Sequence, residues 1–85
     1  MNFLHSEARI GPENCFVVSL NSQANVFLLD DYNFRNYKSG RRYSYRGGLA
    51  KRSPVRMTPP HLGNWHIVVD MGGYSGRVRA NIDVV

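Results

Sequence analysis

Cationic side chains are concentrated in the middle of this 85-residue chain. Eight of its eleven Lys and Arg residues lie between Arg35 and Arg56, a window that contains no Asp or Glu. The window carries a charge of +8, whereas the rest of the chain, with three cations and all six acids, carries −3. Such a local excess of positive charge indicates an anionic partner, contact with an acidic surface, or pairing with the acidic parts of the protein itself.

Aromatic residues interleave with these cations in the sequence NFRNYKSGRRYSYRGG, residues 33–48. Rings beside cations suit single-stranded nucleic acid, because bases stack on rings while phosphates attract Arg and Lys. In the structural alternative, the rings pack a short helix and the cations are solvated or paired with Asp30, Asp31 and Glu13. The predicted ligand-binding residues are Arg35, Lys38, Arg41, Arg42, Tyr43, Tyr45, Arg46 and Arg56.

A second cationic cluster is predicted from strand alternation, in which Arg56, Arg77 and Arg79 occupy outward positions. If their strands share a sheet, its outer face can bind a phosphate or a carboxylate. The alternative is a charged face that protects a strand near an edge from aggregation.

Catalytic and metal-binding residues are not expected. His5, His61 and His66 are too widely spaced for a local metal motif, and nothing in their neighbours forces them together. Cys15 lies in an apolar segment, where a thiol behaves as a small hydrophobic group. We therefore predict no enzymatic activity, no metal and no cofactor; a hydrolase using one of the histidines is a less favoured alternative.

The elements that must position these residues are mostly β-strands. Residues 64–71 and 76–85 alternate apolar with polar residues, and the glycines of MGGYSG join them into a predicted antiparallel hairpin. Residues 13–20 and 25–30 are β-branched and aromatic runs separated by NSQA, which predicts a second hairpin.

The middle of the chain predicts shorter elements. Residues 43–46 and 54–58 are two short strands, and residues 2–6 are a candidate seventh strand. The flanking prolines place the second strand at an edge or cut it short. One helix is predicted from Asp31 to Ser39, with Asp30 or Asp31 as its cap and Gly40 at its end.

Six to seven short strands with one short helix predict an all-β fold, mainly an antiparallel β-sandwich, forming a single domain over residues 1–85. The longest apolar runs are far too short to span a membrane, and the N-terminus lacks a basic leader followed by an apolar stretch. With a single cysteine in addition, we expect a cytoplasmic protein with no membrane contact.

The sequences NVFLLDDYNFRNYKSGRRYSYRGG and SPVRMTPPHLGNWHIVVDMGGYSGRVRA, with the opening MNFLH, resemble a family of short, uncharacterised bacterial proteins classed as a domain of unknown function. Members occur alone or joined to a Toll/interleukin-1 receptor type domain. The resemblance implies an accessory or sensing module, and the family brings no established catalytic residues.

The predicted function is a non-catalytic binding or interaction module that presents its basic, aromatic-interleaved surface to an anionic ligand or an acidic protein surface. The main alternative is a structural protein that self-associates into a homo-oligomer through strand edges and outward apolar residues such as Leu62 and Val68. Binding of single-stranded nucleic acid is a less favoured alternative.

Overall fold

The computed structural model describes residues 3–70 and 79–85. In chain order these residues form β1 (Phe3–Ile10), β2 (Phe16–Leu20), β3 (Ala24–Asp30), α1 (Asp31–Ser39), β4 (Arg46–Ala50), β5 (Val55–Met57), β6 (Gly63–Asp70) and β7 (Ala80–Val84). The pairings are antiparallel and build a four-stranded sheet, β1-β6-β3-β4, and a three-stranded sheet, β5-β2-β7. The predicted all-β fold, mainly an antiparallel sandwich with one short helix, is confirmed.

An apolar core lies between the two sheets. Alternate residues of the central strands point into it, and the larger side chains with almost no exposed surface are Phe16, Val18, Val26, Leu28, Ile67 and Val69. Burying each of these side chains stabilises the fold by roughly 1.5–3 kcal/mol. Val55 and Met57 of β5 pack against the same core while Arg56 between them is exposed, as the alternation predicts.

A second apolar layer covers the opposite face of the four-stranded sheet. Phe27, Leu29 and Val68 of β3 and β6 pack there against Phe34 and Tyr37 of α1. Strands β3 and β6 are therefore buried on both faces, which explains why their centres are nearly continuous apolar runs. Val68, predicted to be outward and free for self-association, is instead fully buried beneath the helix.

Helix α1 begins and ends at the predicted residues. The side chain of Asp30 accepts a hydrogen bond from the backbone N–H of Asn33 at 2.8 Å, and Gly40 ends the helix with a left-handed φ of 73°. A cap of this kind contributes about 1 kcal/mol, and a nine-residue helix needs such support because it is too short to be stable alone.

Both predicted hairpins are wrong. β6 has β1 and β3 on its two sides, so β7 pairs instead with β2 in the other sheet. β2 and β3 likewise lie in different sheets, since β3 pairs with β4 and β6. The glycine-containing connection of the first predicted hairpin and the beginning of its second strand, including Arg77, lie outside the described residues.

The bounds of two strands differ from the prediction. β1 extends to Ile10, well beyond the predicted residues 2–6. β4 begins at Arg46, where the predicted strand 43–46 ends, and contains Gly47 and Gly48. Gly47 has a φ of 107°, and a Cβ at this position would lie 2.2 Å from the carbonyl oxygen of Val26. Glycine is needed here because β4 approaches β3 closely.

The predicted position of β5 at a sheet edge is confirmed.

We expect Tyr37 to make the fold sensitive to high pH. Its hydroxyl donates a hydrogen bond to the carboxylate of Asp70, and burial, followed by this bond, raises the pKa of Tyr37 above its ordinary value. Unfolded tyrosine loses its proton near pH 10, so stability that is present below about pH 10 is lost as the pH rises further towards the pKa of the folded state.

The Tyr37→Phe variant should therefore lose less free energy of unfolding than the wild type between about pH 8 and about pH 11 in urea titrations. Tyr32→Phe is the matched control, because the Tyr32 ring is 67% exposed, and it should follow the wild type. A Tyr37→Phe curve parallel to that of the wild type would contradict the prediction.

Candidate functional site

Two of the three histidines meet on the face of the four-stranded sheet that α1 covers. His5 lies on β1 and His66 on the neighbouring strand β6, where Glu7 is the register partner of His66. His5 Nε2 is 2.8 Å from His66 Nδ1, and the two rings are nearly coplanar, with 15° between them. The expectation that nothing brings the histidines together is wrong, because the first and sixth strands pair across 61 residues of sequence.

Two carboxylates and an amide complete this group. Asp31 Oδ1 lies 2.5 Å from His66 Nε2, and Glu7 Oε2 lies 3.9 Å from the same nitrogen. Asn64 Nδ2 donates to both carboxylates, at 2.9 Å to Asp31 and 3.1 Å to Glu7. The bonds from His66 and Asn64 hold the pKa of Asp31 below its usual value. We call His5, Glu7, Asp31, Asn64 and His66 the histidine cluster.

Phe34 of α1 fixes both imidazoles by stacking. Its ring centroid is 4.1 Å from that of His5 and 4.3 Å from that of His66, with interplanar angles of 14° and 13°. His66 is buried, whereas His5 remains exposed at the edge of the stack. Burial lowers the pKa of His5, His66 and Lys38 lower it further, and Glu7 acts in the opposite direction. His5 is therefore mainly neutral at pH 7.

The protons of the neutral cluster follow from donor and acceptor chemistry. The ionised carboxylate of Asp31 can only accept, so Nε2 of a neutral His66 carries the proton and Nδ1 is an acceptor. The donor to that Nδ1 is then the Nε2–H of His5, which leaves Nδ1 of His5 with a free lone pair. The cluster can hold protons at defined atoms, and its nitrogen and oxygen atoms are metal-ligand types.

A pocket of about 420 Å³ lies beside the histidine cluster. Glu7, Asp31 and His66 line one part of it, and Arg35 and Lys38 of α1 line another. Two of the predicted ligand-binding residues thus share a pocket with a pair of carboxylates. The pocket combines both signs of charge in a small space.

The other predicted ligand-binding residues fall on two separate surfaces. Arg41, Arg42, Tyr43, Tyr45 and Arg46 lie between the end of α1 and the first residue of β4. We call residues 41–46 the basic segment.

Arg56 lies on the opposite side of the sandwich. It is the register partner of Val17, whose chain neighbours Phe16 and Val18 point into the core, so Arg56 is on the outer face of the three-stranded sheet. The structure does not bring Arg56 together with the basic segment.

The second predicted cluster falls only partly within the described residues, since Arg77 lies outside them. Arg79 is exposed just before β7, and its backbone N–H donates to the side chain of Asn21 at 2.7 Å. In the cross-strand row that contains Arg56, Val17 separates it from the acidic Asp83. This row is therefore mixed in charge.

The tyrosines of the basic segment are anchored to the sheet by Phe27. The ring centroid of Phe27 is 4.5 Å from that of Tyr45 and 6.2 Å from that of Tyr43, and the two tyrosine rings are tilted by 43° to each other. Tyr45 is 49% exposed and Tyr43 is half-buried, whereas Tyr37 belongs to the core. One ring of the segment is thus open to solvent, and the other is partly covered.

The cations of the window do not pair with the acids considered from the sequence. Over residues 3–70 and 79–85, no Lys or Arg forms an ion pair with a carboxylate, and the close contacts of Glu7 and Asp31 are with the imidazole of His66. Asp30 caps α1 instead, and Asp31 bonds to His66 and Asn64. The direct ion pairs of the structural alternative do not form among these residues, although the charge of Arg35 helps to lower the pKa of Asp31. The packing of rings in that alternative is confirmed, because Phe34 and Tyr37 pack α1 against the sheet, and solvation of the cations stays open.

The sequence contains a weak indication of the histidine cluster. His5 and Glu7 alternate on one strand, and Asn64 and His66 alternate on another, so each pair lies on one face of its strand. Only the pairing of β1 with β6 brings these faces together. The fifth member, Asp31, comes from the helix that packs over them.

The fold and the site define a class: a two-sheet antiparallel β protein whose single described helix covers a histidine–carboxylate cluster and leads into a basic segment. A family model of a domain of unknown function, DUF1883, matches residues 1–85, and the chain belongs to this family. No curated protein and no solved structure matches the chain. Within the described residues, no helix has the length and apolar character needed to cross a membrane.

We expect Asp31 to fix the tautomers of the histidine cluster. Long-range ¹H–¹⁵N NMR spectra at about pH 8 should show Nε2 protonated in both His5 and His66 of the wild type. In Asp31→Ala the acceptor is lost, so His66 should become a mixture of tautomers. Asp83→Ala, which removes an exposed acid from β7, should leave both tautomers unchanged. Protonation of wild-type His66 on Nδ1 would contradict the arrangement.

Proposed function

We propose that this protein is a non-catalytic interaction module that binds an anionic partner through the basic segment. One observation carries the proposal: Arg41, Arg42 and Arg46 are exposed, and none forms an ion pair with a carboxylate in the described part of the chain. Exposed guanidinium groups without a counterion are available for bidentate hydrogen bonds to carboxylates or phosphates.

The geometry of the tyrosines favours an acidic protein surface as the partner. Single-stranded nucleic acid needs open ring faces on which successive bases can stack. Tyr43 is partly covered by contacts with Phe27, Tyr37 and Tyr45, and its ring is not parallel to that of Tyr45. In contrast, Arg and Tyr are both enriched among the residues that contribute most of the binding energy at protein interfaces.

The backbone also supports a preformed surface. The N–H of Ser44 donates to the side chain of Asn33 on α1 at 2.7 Å, so the segment is tied to the helix as well as to Phe27. A surface that is ordered before binding loses less conformational entropy when its partner arrives. The proposed surface is limited to residues 41–46, because Arg35 and Lys38 line the pocket beside the histidine cluster and Arg56 lies on the opposite face.

The proposal also covers the cellular location of the protein and the kind of module that it forms. The unpaired Cys15 suits the reducing cytoplasm, in which we place the protein. We further propose, from the family resemblance, that it is a bacterial accessory module of the kind joined in other chains to a Toll/interleukin-1 receptor type domain.

Self-association is the second candidate, and the edge strands of the two described sheets favour it. β1 and β4 end one sheet, β5 and β7 end the other, and Leu49 on β4 and Leu62 remain exposed. Sedimentation velocity separates the two candidates. We expect a monomer, and a stable dimer that buries residues 41–46 would favour self-association instead.

We expect binding of an acidic peptide to depend on the basic segment. The probe is a fluorescein-labelled peptide of about twelve residues rich in Asp and Glu, titrated at low and at physiological salt. Arg41→Gln/Arg42→Gln should weaken binding by about tenfold or more, because two counterions for the carboxylates are lost. The matched control is Arg9→Gln/Arg79→Gln, which removes the same net charge from exposed positions outside the window and should change Kd by less than about threefold.

Three outcomes of this experiment would count against the proposal. If the two double variants weaken binding equally, the effect comes from net charge and not from the basic segment. No binding at low salt would remove the basic segment as a binding site. Tighter binding of a single-stranded oligonucleotide of equal charge would replace the acidic protein partner with nucleic acid.

A further inference from the structure

Glu7, Asp31 and His66 each present a ligand atom, and the three atoms lie within 4.8 Å of one another. We propose that these residues bind one divalent transition-metal ion, with Zn²⁺ as the best fit, at the edge of the pocket beside α1. The inference is independent of the proposed function, because it uses no residue of the basic segment.

The ligand set selects the class of metal. One imidazole nitrogen and two carboxylate oxygens suit Zn²⁺ and its first-row neighbours, whereas Mg²⁺ and Ca²⁺ prefer oxygen ligands alone. Three protein ligands are the number typical of Zn²⁺ sites that keep a position open for water or another small ligand. That position would adjoin the pocket, where Arg35 and Lys38 can contact an anion bound to the metal.

The geometry needs only small adjustments to accept the ion. Metal–ligand bonds of about 2.0–2.2 Å place tetrahedral ligand atoms roughly 3.4 Å apart. The distances from His66 Nε2, 2.5 Å to Asp31 and 3.9 Å to Glu7, lie on either side of that value. The side chains of Asp31 and Glu7 are 53% and 54% exposed, so both can shift while the buried imidazole stays fixed.

Asn64 supports the site by holding the two carboxylates together. A single amide group donates to both of them, at 2.9 Å and 3.1 Å. Two carboxylates gathered around one imidazole repel each other, and a divalent cation removes that repulsion. Hydrogen bonds from such outer groups also orient the ligands of protein metal sites.

His5 allows His66 to become a metal ligand without losing its hydrogen bond. In the neutral cluster, His66 carries its proton on Nε2 and accepts from His5 at Nδ1. A metal on Nε2 requires the other tautomer, in which His66 Nδ1–H donates to Nε2 of His5. The proton of His5 then resides on its own Nδ1. This change of tautomers keeps the hydrogen bond between His5 and His66 while it frees Nε2 of His66 for the metal.

The inference is tested by calorimetric titration of the metal-free chain with Zn²⁺. We expect one ion per chain, and Glu7→Gln and Asp31→Asn should each weaken Kd by about tenfold or more, because each removes a charged ligand. Glu7→Gln changes an exposed side chain on β1, so it tests the site without threatening the fold. Circular dichroism of each variant checks that the sheets are intact.

Matched controls cover the other groups that can bind Zn²⁺. His61→Ala, Cys15→Ser and Asp83→Asn remove a histidine, the free thiol and an exposed acid outside the cluster, and each should leave Kd within about twofold of the wild type. In NMR spectra, Zn²⁺ should move the proton of His66 from Nε2 to Nδ1.

Clear results would overturn the inference. These are the absence of stoichiometric Zn²⁺ binding, unchanged affinity in both Glu7→Gln and Asp31→Asn, and loss of binding in Cys15→Ser or His61→Ala. A wild-type His66 that keeps its Nε2 proton at saturating Zn²⁺ would also contradict it.

Discussion

The packing of α1 against the outer face of the four-stranded sheet is the interaction on which the rest of the structure depends. Phe34 and Tyr37 bury Phe27, Leu29 and Val68, and each fully buried side chain contributes roughly 1.5–3 kcal/mol. A helix of nine residues cannot persist without this contact. The same packing stacks Phe34 on the two imidazoles and so fixes the geometry of the histidine cluster.

The two ends of this helix lie beside groups of opposite charge. Its first residue, Asp31, joins the acidic side of the histidine cluster, whereas its end at Gly40 leads directly into the basic segment. Arg35 and Lys38, between these ends, line the pocket that adjoins the cluster. A metal ion near Asp31 and an acidic partner at the basic segment would therefore occupy neighbouring but separate surfaces, and both depend on one docked helix.

Local signals in the sequence predicted the elements, while strand pairing could not be predicted from them. The caps Asp30 and Gly40 determine the helix ends by short-range hydrogen bonds and backbone conformation, which the residue types reveal. Pairing depends on which strand edges are already occupied, and β6 has both its edges filled by strands distant in sequence. The histidine cluster was missed for the same reason, because His5 and His66 meet only through that pairing. One usable signal was the short apolar run from Ile67 to Val69, in which Val68 breaks the alternation and so indicates a strand covered on both faces.

The separation of Arg56 from the other cations has a topological cause. Between β4 and β5 the chain passes from the edge of one sheet to the edge of the other, so a charge window that continues through this connection must be divided between two layers. Alternation along β5 then turns Arg56 away from the core, onto the face opposite α1. Residues that are close in sequence are expected to share a surface only where the chain does not pass from one sheet to the other between them. Residues 41–46 satisfy that condition, because α1, the basic segment and β4 all belong to the same side of the sandwich.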